Sequence, residues 1–244
     1  MDVALLTVGD ELLAGDTTNT NASWLASQLS GRGAEVVRIL TVPDDRALIA
    51  ERTREYSDAF DAVIVTGGIG GTPDDVTLEA VADAFDRELI VSDLALADIE
   101  QYLKEREADI PDVDLDLEAE AAIPEGSRPL LNGPGLAPGC VLENVYVLPG
   151  IPGEMKAMFR DVADEFDGDR RSQFLYTVEP EANIIDALEA VRERFGVRVG
   201  CYPDREARHN RLKLSGEDGE AIDEAAAWLL EAIDASEDPV ERDW

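Results

Sequence analysis

The chain contains 244 residues, of which 45% are apolar, and this length suits one large domain or an ordinary domain followed by a small one. Its 54 acidic and 21 basic residues give a net charge of −33, which argues against nucleic acid and anionic membranes as partners. The apolar runs are no longer than a strand, and no basic segment precedes the first of them. We therefore expect no membrane span or secretory signal, and we place the protein in the cytoplasm.

The acidic residues are spread along the whole chain instead of being concentrated in one tail. An acidic interaction tail would explain the charge only if the acids were grouped. An even spread is typical of a halophilic surface, because roughly 1 M salt shortens the Debye length to about 3 Å and screens self-repulsion. We therefore predict that the protein loses structure in low salt.

Strand-like runs alternate with helical patterns through the first two thirds of the chain. The predicted strands are VALLTV (3–8), EVVRILTV (35–42), DAVIVT (61–66), a run within 128–143, and VYVLPG (145–150). The predicted helices are 20–29, about 45–56, one with apolar residues at 78, 81, 82 and 85, 92–107 with Ser92 as its N-cap, and 153–166. This order predicts an α/β fold with a mostly parallel sheet and helices on both faces.

Two further stretches complete the predicted organisation. The acidic, proline-punctuated stretch 109–120 is expected to be a surface loop or a short helix. After a linker at 167–171, a strand, helix, strand, strand, helix pattern predicts a small α+β domain. We therefore divide the chain into a domain at 1–168 and a small domain at 172–237.

Three glycine-bearing loops follow predicted strands, at the sheet edge where open parallel sheets bind their ligands. They are GDELLAGDTTNTN, TGGIGGTPDD, and the pair NGPGLAPG and LPGIPGEMK. None contains a Walker A or G-x-G-x-x-G pattern. In the second loop, Gly67, Gly68, Gly70 and Gly71 let backbone N–H groups turn towards an anion, and the next helix adds a positive dipole end. This loop therefore predicts a phosphate site.

Two aspartates, Asp74 and Asp75, follow these glycines. They would serve as helix cap and first-turn residues, or they would hold a divalent cation that links carboxylate to phosphate. Asp10 and Glu11, after the first strand, lie at the same predicted edge and would complete such a metal site. The spacing leaves both interpretations open.

Other polar side chains are candidates for the same site. Thr66 and Thr72 supply hydroxyl groups beside the glycines, and Asn19 and Asn21 supply amides at the start of the first predicted helix. Lys156, one of three lysines in the chain, follows the last glycine loop and is a candidate phosphate contact. Each of these residues has an ordinary alternative as a cap, turn or solvated side chain.

The sequence offers little for histidine or cysteine chemistry. Cys140 and Cys201 lie far apart with no neighbouring Cys or His, so we expect two buried or half-buried thiols without zinc or a disulfide. The single histidine, His209, lies in a polar strand-like run at 206–214 and is expected at the surface. Any catalytic triad containing histidine would have to use this residue.

The order of the motifs resembles the N-terminal part of the CinA (competence/damage-inducible protein A) family, within the molybdopterin-binding MoCF (MogA/MoaB-like) superfamily. The matching segments are GDELLAGDTTNTNASWLASQL, VPDD, VIVTGGIGGTPDDVTLEAVADAF, IPEGS, NGPGLAPG, VYVLPGIPGEMKAMF and CYPD. They cover nearly the whole chain. The resemblance implies a three-layer α/β/α fold with a site for a pterin or nucleotide phosphate, followed by the small domain.

The resemblance also implies roles for individual residues. The TGGxG loop of the superfamily falls on 66–70, and its metal-linked acid falls on Asp75, with Asp74 beside it. The GxE motif falls on Gly9 and Glu11, with Asp10 between them, and the NTN motif falls on 19–21. Gly71 departs from the pattern, because proline is expected there, and this difference bears on catalysis more than on binding.

Three functions follow from the resemblance. The first is hydrolysis of a pyrophosphate such as ADP-ribose with Mg²⁺ or another divalent cation; the second is molybdopterin binding or adenylylation. The third is a non-catalytic pterin- or nucleotide-binding module. The sequence lacks the amidase domain of full-length CinA, so we expect no deamidation of nicotinamide mononucleotide. The superfamily resemblance also implies a homo-oligomer, a dimer or a trimer.

Overall fold

The computed structural model describes residues 1–106, 115–204 and 209–239. Within these ranges the chain forms twelve strands and nine α-helices. The strands are β1 (Asp2–Val8), β2 (Glu35–Val42), β3 (Ala62–Thr66), β4 (Leu89–Val91), β5 (Ala122–Pro124), β6 (Arg128–Leu130), β7 (Gly139–Leu142), β8 (Val145–Leu148), β9 (Arg171–Thr177), β10 (Arg198–Asp204), β11 (His209–Gly216) and β12 (Ala235–Ser236). The helices are α1 (Asp10–Ala14), α2 (Thr20–Gly31), α3 (Arg46–Ala59), α4 (Thr77–Ala84), α5 (Asp93–Glu105), α6 (Leu117–Glu120), α7 (Pro152–Val162), α8 (Glu181–Phe195) and α9 (Gly219–Ala232).

The chain divides into two compact units. Unit 1 comprises residues 1–29 and 35–167, and unit 2 comprises residues 30–34 together with the chain from 168 onwards. The short segment 30–34 therefore belongs to the second unit, although it lies within the first predicted domain. Its backbone joins the start of that unit, since Arg170 N donates to Gly33 O over 3.2 Å.

Unit 1 is built on a six-stranded sheet in the order β2-β1-β3-β8-β7-β6. The first four strands in this order run parallel to one another. Strand β7 is antiparallel to β8, and β6 is antiparallel to β7. The prediction of an α/β fold with a mostly parallel sheet is confirmed. The antiparallel end arises because β7 returns directly into β8 through a short turn, without a crossover helix.

Burial explains why the central strands of unit 1 are readable in the sequence. All five residues of β3 and six of the seven in β1 are buried. A parallel strand covered on both faces appears as a continuous apolar run. Leu6, Val65 and Val147 of this sheet share one core with Ile49 of α3 and Val81 of α4.

Capping residues fix two of the predicted helix starts. The Asp45 side chain accepts from Leu48 N over 2.9 Å at the start of α3, and Ser92 accepts from Ala95 N at the start of α5. The predicted end of the 92–107 helix at Glu107, and the first half of the acidic stretch, 109–114, lie outside the described residues. The described remainder of that stretch contains the short helix α6.

Short elements escaped the sequence analysis. The five-residue helix α1 occupies part of what was predicted as a loop, and β4 pairs with β5 in a separate two-stranded sheet. Elements of three to five residues contain too few positions for a hydrophobic period to be recognised. Their positions are set by contacts that are distant in the sequence.

Unit 2 is an antiparallel sheet in the order β10-β11-β9-β12 with helices α8 and α9. Its core joins Leu175, Leu212 and Leu214 of the sheet to Ile184 of α8 and Leu229 of α9. Gly196 ends α8 in the left-handed conformation, with φ 66°, and this is the usual role of glycine after a helix.

His209 corrects one expectation. Its residue is 8% exposed and its ring meets that of Tyr176 edge-on at 5.2 Å, so it is buried and not at the surface as predicted. The start of its predicted run, 205–208, lies outside the described residues. The predicted burial of the cysteines is confirmed: both are free thiols, Cys140 buried and Cys201 half-buried, and burial raises the pKa of Cys140 to about 12. No described helix is long and apolar enough to cross a bilayer.

Candidate functional site

Three parallel strands of unit 1 end at one edge of the sheet, and a cavity of about 790 Å³ opens there. Strands β1, β3 and β8 end at Val8, Thr66 and Leu148, and glycines or prolines follow each of them. Gly67 N donates to Leu148 O over 3.2 Å, which joins two of these loops. The size is typical of a small-molecule site. The wall is formed by residues 8, 9, 11, 12, 17–21, 66–72, 74, 75, 149–152 and 154, with single residues from elsewhere in unit 1.

The glycine loop after β3, residues 67–71, requires glycine for two physical reasons. Gly67 and Gly68 have φ values of 99° and 64°, a region that side chains other than glycine's rarely adopt. A Cβ on Gly67 would overlap the carbonyl oxygen of Val8, and one on Gly68 would lie 2.5 Å from Thr77 Oγ1. The loop therefore lies against β1 and α4 with its backbone exposed to the cavity.

Asp75 orders this loop from inside. Its Oδ2 accepts from Thr72 N over 3.1 Å and from Thr72 Oγ1 over 2.6 Å, and a Cβ on Gly70 would come within 2.7 Å of the same oxygen. The helix-cap interpretation of the two aspartates is wrong: α4 begins at Thr77, its N-cap is Val76, and no side chain caps it. Asp75 instead closes the turn that precedes the helix.

Asp74 lies on the same turn and also lines the cavity. Its side chain is exposed, and hydrogen bonds from Thr72 and from its own backbone lower its pKa. A lowered pKa keeps this carboxylate ionised to lower pH than usual. Asp74 therefore adds negative charge at the mouth of the site.

Glu120, at the end of α6, was not predicted as a site residue. It lines the cavity, and its pKa is raised by burial and then by the negative charges of Asp75 and Asp116. A Cβ on Gly71 would overlap the Glu120 carboxylate. The glycine found where the family pattern has proline therefore leaves room for this acid. The sequence signal was only an acidic stretch, because the chain fold alone brings Glu120 to the loop.

The motif after β1 is divided between the cavity and its surroundings. Glu11 lines the cavity, and its carboxylate oxygens lie where a Cβ on Gly9 would approach to 2.6 Å. Asp10 is exposed and is not part of the cavity wall; its backbone N–H donates to Asp44 Oδ2 over 2.8 Å. Asp44 itself lines the cavity. The structure thus brings Glu11, but not Asp10, to the predicted site.

The two predicted asparagines both line the cavity and both support its frame. Asn19 caps α2, with Oδ1 accepting from Ala22 N over 3.0 Å, and its Nδ2 donates to Thr7 Oγ1. Asn21 Nδ2 donates to Gly150 O over 2.7 Å, while its Oδ1 is buried without a hydrogen-bond partner among the described residues. Asn19 is therefore a positioning residue, whereas Asn21 keeps an acceptor for a ligand or water.

The remaining candidates separate in the same way. Thr66 and Thr72 line the cavity. Lys156 does not: its Nζ lies 5.6 Å from the centre of the Trp24 ring, a cation–π contact beside the site. The prediction that Lys156 reaches a phosphate gains no support from this position.

The charge of the cavity wall is one-sided. Its described lining contains six acidic residues and no Lys, Arg or His. The six are Glu11, Asp44, Asp74, Asp75, Glu120 and Glu154. Within the described ranges, no three His, Cys, Asp or Glu side chains are grouped at metal-binding distances. A ligand phosphate at the glycine loop would therefore meet backbone N–H groups and acidic side chains, without a cation from the wall.

Similarity to known proteins is consistent with this architecture. Residues 4–167 match the family described as “Probable molybdopterin binding domain”, and residues 170–238 match “FAD synthase, middle domain”. A protein of Archaeoglobus fulgidus is 36% identical over 96% of this chain and 98% of its own length. A CinA-like protein of Gemmatimonas aurantiaca is 36% identical over 96% of this chain, which spans 58% of that relative.

A solved structure matches about two thirds of the chain. It is the protein CinA from Thermoplasma acidophilum, described as having unknown function, and it is 33% identical with a TM-score of 0.60. The match covers 68% of this chain and 97% of that one. The resemblance to the CinA family is thereby confirmed.

Proposed function

This chain is a CinA-like member of the family described as “Probable molybdopterin binding domain”, and on that premise we propose that its cavity binds the phosphate group of a pterin- or nucleotide-type ligand. The observation that carries the proposal is the glycine loop 67–71, whose backbone is open to a cavity of about 790 Å³. Loops of this kind bind oxyanions through consecutive backbone N–H groups.

The acidic wall makes a divalent cation part of the proposal. Burial and the charge of Asp75 raise the pKa of Glu120, so these two carboxylates repel each other next to the loop. Mg²⁺ binds through one or two carboxylates together with ligand phosphate and water, and it needs no closed cage of protein ligands. Asp75 fits that description, and Asp74 and Glu11 line the same cavity.

The residues of the chain would divide the work. Backbone N–H groups of 68–71 would hold the phosphate, and Thr72 would keep the Asp75 carboxylate oriented through its two hydrogen bonds. A bound Mg²⁺ would neutralise phosphate charge and lower the pKa of a coordinated water. Asn21 Oδ1 would accept a hydrogen bond from the ligand or from a water beside it.

Binding is tested by isothermal titration calorimetry in molar KCl. The probes are ADP-ribose, GDP and a phosphorylated pterin, each with MgCl₂ and each with EDTA. We expect at least one probe to bind with Mg²⁺, and to lose about tenfold or more in affinity with EDTA or in Asp75→Asn. Asp164→Asn, an exposed acid outside the cavity, is the matched control. Equal affinity with EDTA would refute the cation, and no binding of any probe would refute the phosphate site.

A second candidate is hydrolysis of a pyrophosphate such as ADP-ribose, and the raised pKa of Glu120 favours it. A carboxylate with a raised pKa beside a phosphate site is suited to accept a proton from water. Water oxygen would bond to phosphorus, the bridging P–O bond would break, and the proton would pass to Glu120. The products from ADP-ribose would be AMP and ribose 5-phosphate.

Turnover is followed by chromatographic detection of AMP in the same mixtures. Hydrolysis predicts AMP from ADP-ribose with Mg²⁺ and a loss of about 10²-fold or more in Glu120→Gln with binding retained. AMP released from ATP only when a pterin acceptor is present, with transfer of the nucleotidyl group, would indicate adenylylation instead. Binding that persists without any turnover would leave a non-catalytic binding module.

A further inference from the structure

The cavity wall also contains Glu154, an acid that does not belong to the glycine loop 67–71. Glu154 lies in the first turn of α7, and its carboxylate is bonded to Asn132, whose Nδ2 donates to Glu154 Oε2 over 2.7 Å. Asn132 is 1% exposed, and its Nδ2 also donates to Ala137 O over 2.8 Å. Two acceptors on one nitrogen fix the orientation of the amide, because the flipped amide would place oxygen against oxygen.

Backbone geometry leaves a space for this carboxylate. A Cβ on Gly135 would overlap the Glu154 carboxyl group, so the glycine in NGPGLAPG allows the acid to lie against the loop. No unusual φ is required at Gly135, and its role is therefore to leave room. Asn132 and Gly135 together hold the Glu154 carboxylate in one place.

The hydrogen bond from Asn132 falls on one carboxylate oxygen. Among the described residues that line the cavity there is no Lys, Arg or His to pair with Glu154. The neighbouring wall is apolar, formed by Leu136, Ala137, Ile151 and Pro152. In addition, Asn132 Oδ1 is buried with no partner among the described residues. Apart from the hydrogen bond that Asn132 donates, the Glu154 carboxylate has no hydrogen-bond donor among the described residues, and it lies in an apolar part of the wall.

We propose that Glu154, held by Asn132 and Gly135, determines ligand specificity by accepting hydrogen bonds from a pair of adjacent donors on the ligand. This inference rests on the proposed binding of the ligand phosphate at 67–71. A carboxylate accepts two parallel donors, and the groups that offer them are the vicinal diol of a ribose and the N–H and NH₂ pair of a 2-amino-4-oxopyrimidine ring. The Watson–Crick edge of adenine does not, because its amino group stands beside an acceptor nitrogen.

Matched nucleotide pairs distinguish the two sources. GDP and IDP differ in the 2-amino group, and ADP and 2′-deoxy-ADP differ in the 2′-hydroxyl. With Mg²⁺ in molar KCl, we expect the wild type to bind one full-donor member about tenfold or more tightly than its partner. Preference for GDP over IDP would identify the ring edge, and preference for ADP over its deoxy form would identify the diol.

Two variants test the residue itself. Glu154→Gln keeps an acceptor for Asn132 but loses one acceptor for the ligand, and Gly135→Ala displaces the carboxylate without altering its charge. We expect both to reduce the wild-type preference to about twofold or less while the affinity for inorganic pyrophosphate with Mg²⁺ is unchanged. Glu165→Gln, an acid outside the cavity, is the control and should keep the preference.

The outcomes separate this inference from the proposed function. If neither pyrophosphate nor any nucleotide binds the wild type, the phosphate site itself fails. If pyrophosphate binds and the preference survives in both variants, or is absent from the wild type, the role of Glu154 is overturned. A purely structural role, in which Glu154 only ties α7 to the loop that contains Asn132, would weaken pyrophosphate and nucleotides to the same extent, and this would also overturn the proposal.

Discussion

Two buried threonines show how differently the two units use polar groups. Thr177, at the end of β9 in unit 2, is fully buried; its hydroxyl donates to Asp234 O over 2.6 Å and accepts from Glu179 N over 3.0 Å. Thr77, at the start of α4 in unit 1, is equally buried, but its hydroxyl has no partner among the described residues. The first hydroxyl has its hydrogen bonds satisfied within unit 2. The second lies behind a loop that we assign to a ligand.

The sheets of the two units also differ in how their strands are buried. In unit 2, strands β9 and β11 have buried positions separated by half-buried or exposed ones, whereas β1 and β3 of unit 1 are buried along nearly their whole length. Polar residues of unit 2 can therefore be spread over the strands. In unit 1 they are displaced to the loops after the strands, which is where its cavity lies. Sheet type thus decides where a chain can place its chemistry.

Salt should produce the largest effect. Unit 1 has 35 acidic and 10 basic residues, against 19 and 11 in unit 2. We expect the melting temperature to fall by more than about 10 °C between molar and millimolar KCl, because the Debye length grows as salt falls and the acidic residues then repel one another more strongly. Peptide-resolved hydrogen exchange should then show unit 1 opening first. An unchanged melting curve would rule out halophilic adaptation, and earlier opening of unit 2 would break the comparison between the units.

The salt prediction rests on composition alone, and much of the fold could be predicted from local sequence patterns. The strands and longer helices were predictable because hydrophobic periods and caps such as Asp45 and Ser92 are local. The glycine loop was also visible in the sequence, since φ values such as that of Gly67 demand glycine. Local rules therefore account for the framework of unit 1 and for one side of its cavity.

The other side of the cavity could not be read in this way. Glu120 meets Gly71 only through the fold, across a stretch of chain that looks like an acidic surface loop. Asn132 and Glu154 are 22 residues apart, the first in a loop and the second in the first turn of α7. The cap interpretation of Asp75 failed because a turn and a helix cap favour the same residue types. Tertiary contacts, which local propensity does not reveal, determine where these side chains lie.

Gly67→Ala should produce the next largest effect. The substitution forces a left-handed φ on alanine and overlaps the Val8 carbonyl oxygen, so we expect a loss of about 2–4 kcal/mol in the free energy of unfolding. Urea denaturation in molar KCl measures this. Gly153→Ala, where nothing lies within 4 Å of the new Cβ, is the matched control and should stay within about 0.5 kcal/mol. Equal effects would show that the loop does not need its glycine.

Thr177→Val should cost about 2 kcal/mol, because it leaves Glu179 N and Asp234 O without their partner in the protein. Urea denaturation gives the loss, and titration of the unit 1 cavity with Mg²⁺ and pyrophosphate gives the control. We expect Thr177→Val and the wild type to have the same affinity for pyrophosphate with Mg²⁺, at a denaturant concentration where both are folded. A loss below about 0.5 kcal/mol would mean that the hydroxyl is not needed in unit 2.

Glu120→Gln should have a smaller effect on stability, and this effect should depend on pH. Its pKa is raised in the folded protein, first by burial and then by Asp75, so the folded state holds this proton more tightly than the unfolded state. Stability is therefore lost as pH rises from the unfolded value, about 4.3, through the raised one. Glu120→Gln removes that loss. In EDTA its melting temperature should exceed that of the wild type at pH 7, and the difference should vanish below about pH 4. A constant difference across this range would contradict the linkage.

Thr77→Val should have the smallest effect, and it is the sharpest test of the comparison. Valine has nearly the shape of threonine and leaves the backbone bond from Thr77 N to Gly68 O in place. Since the hydroxyl has no protein partner among the described residues, its removal should change the free energy of unfolding by less than about 0.5 kcal/mol. A loss as large as that expected for Thr177→Val would mean that the hydroxyl is already satisfied, by water held behind the glycine loop. Repeating the measurement with Mg²⁺ and pyrophosphate separates that case from a hydroxyl that acts only when ligand is bound, because only the latter would lower the ligand-induced stabilisation.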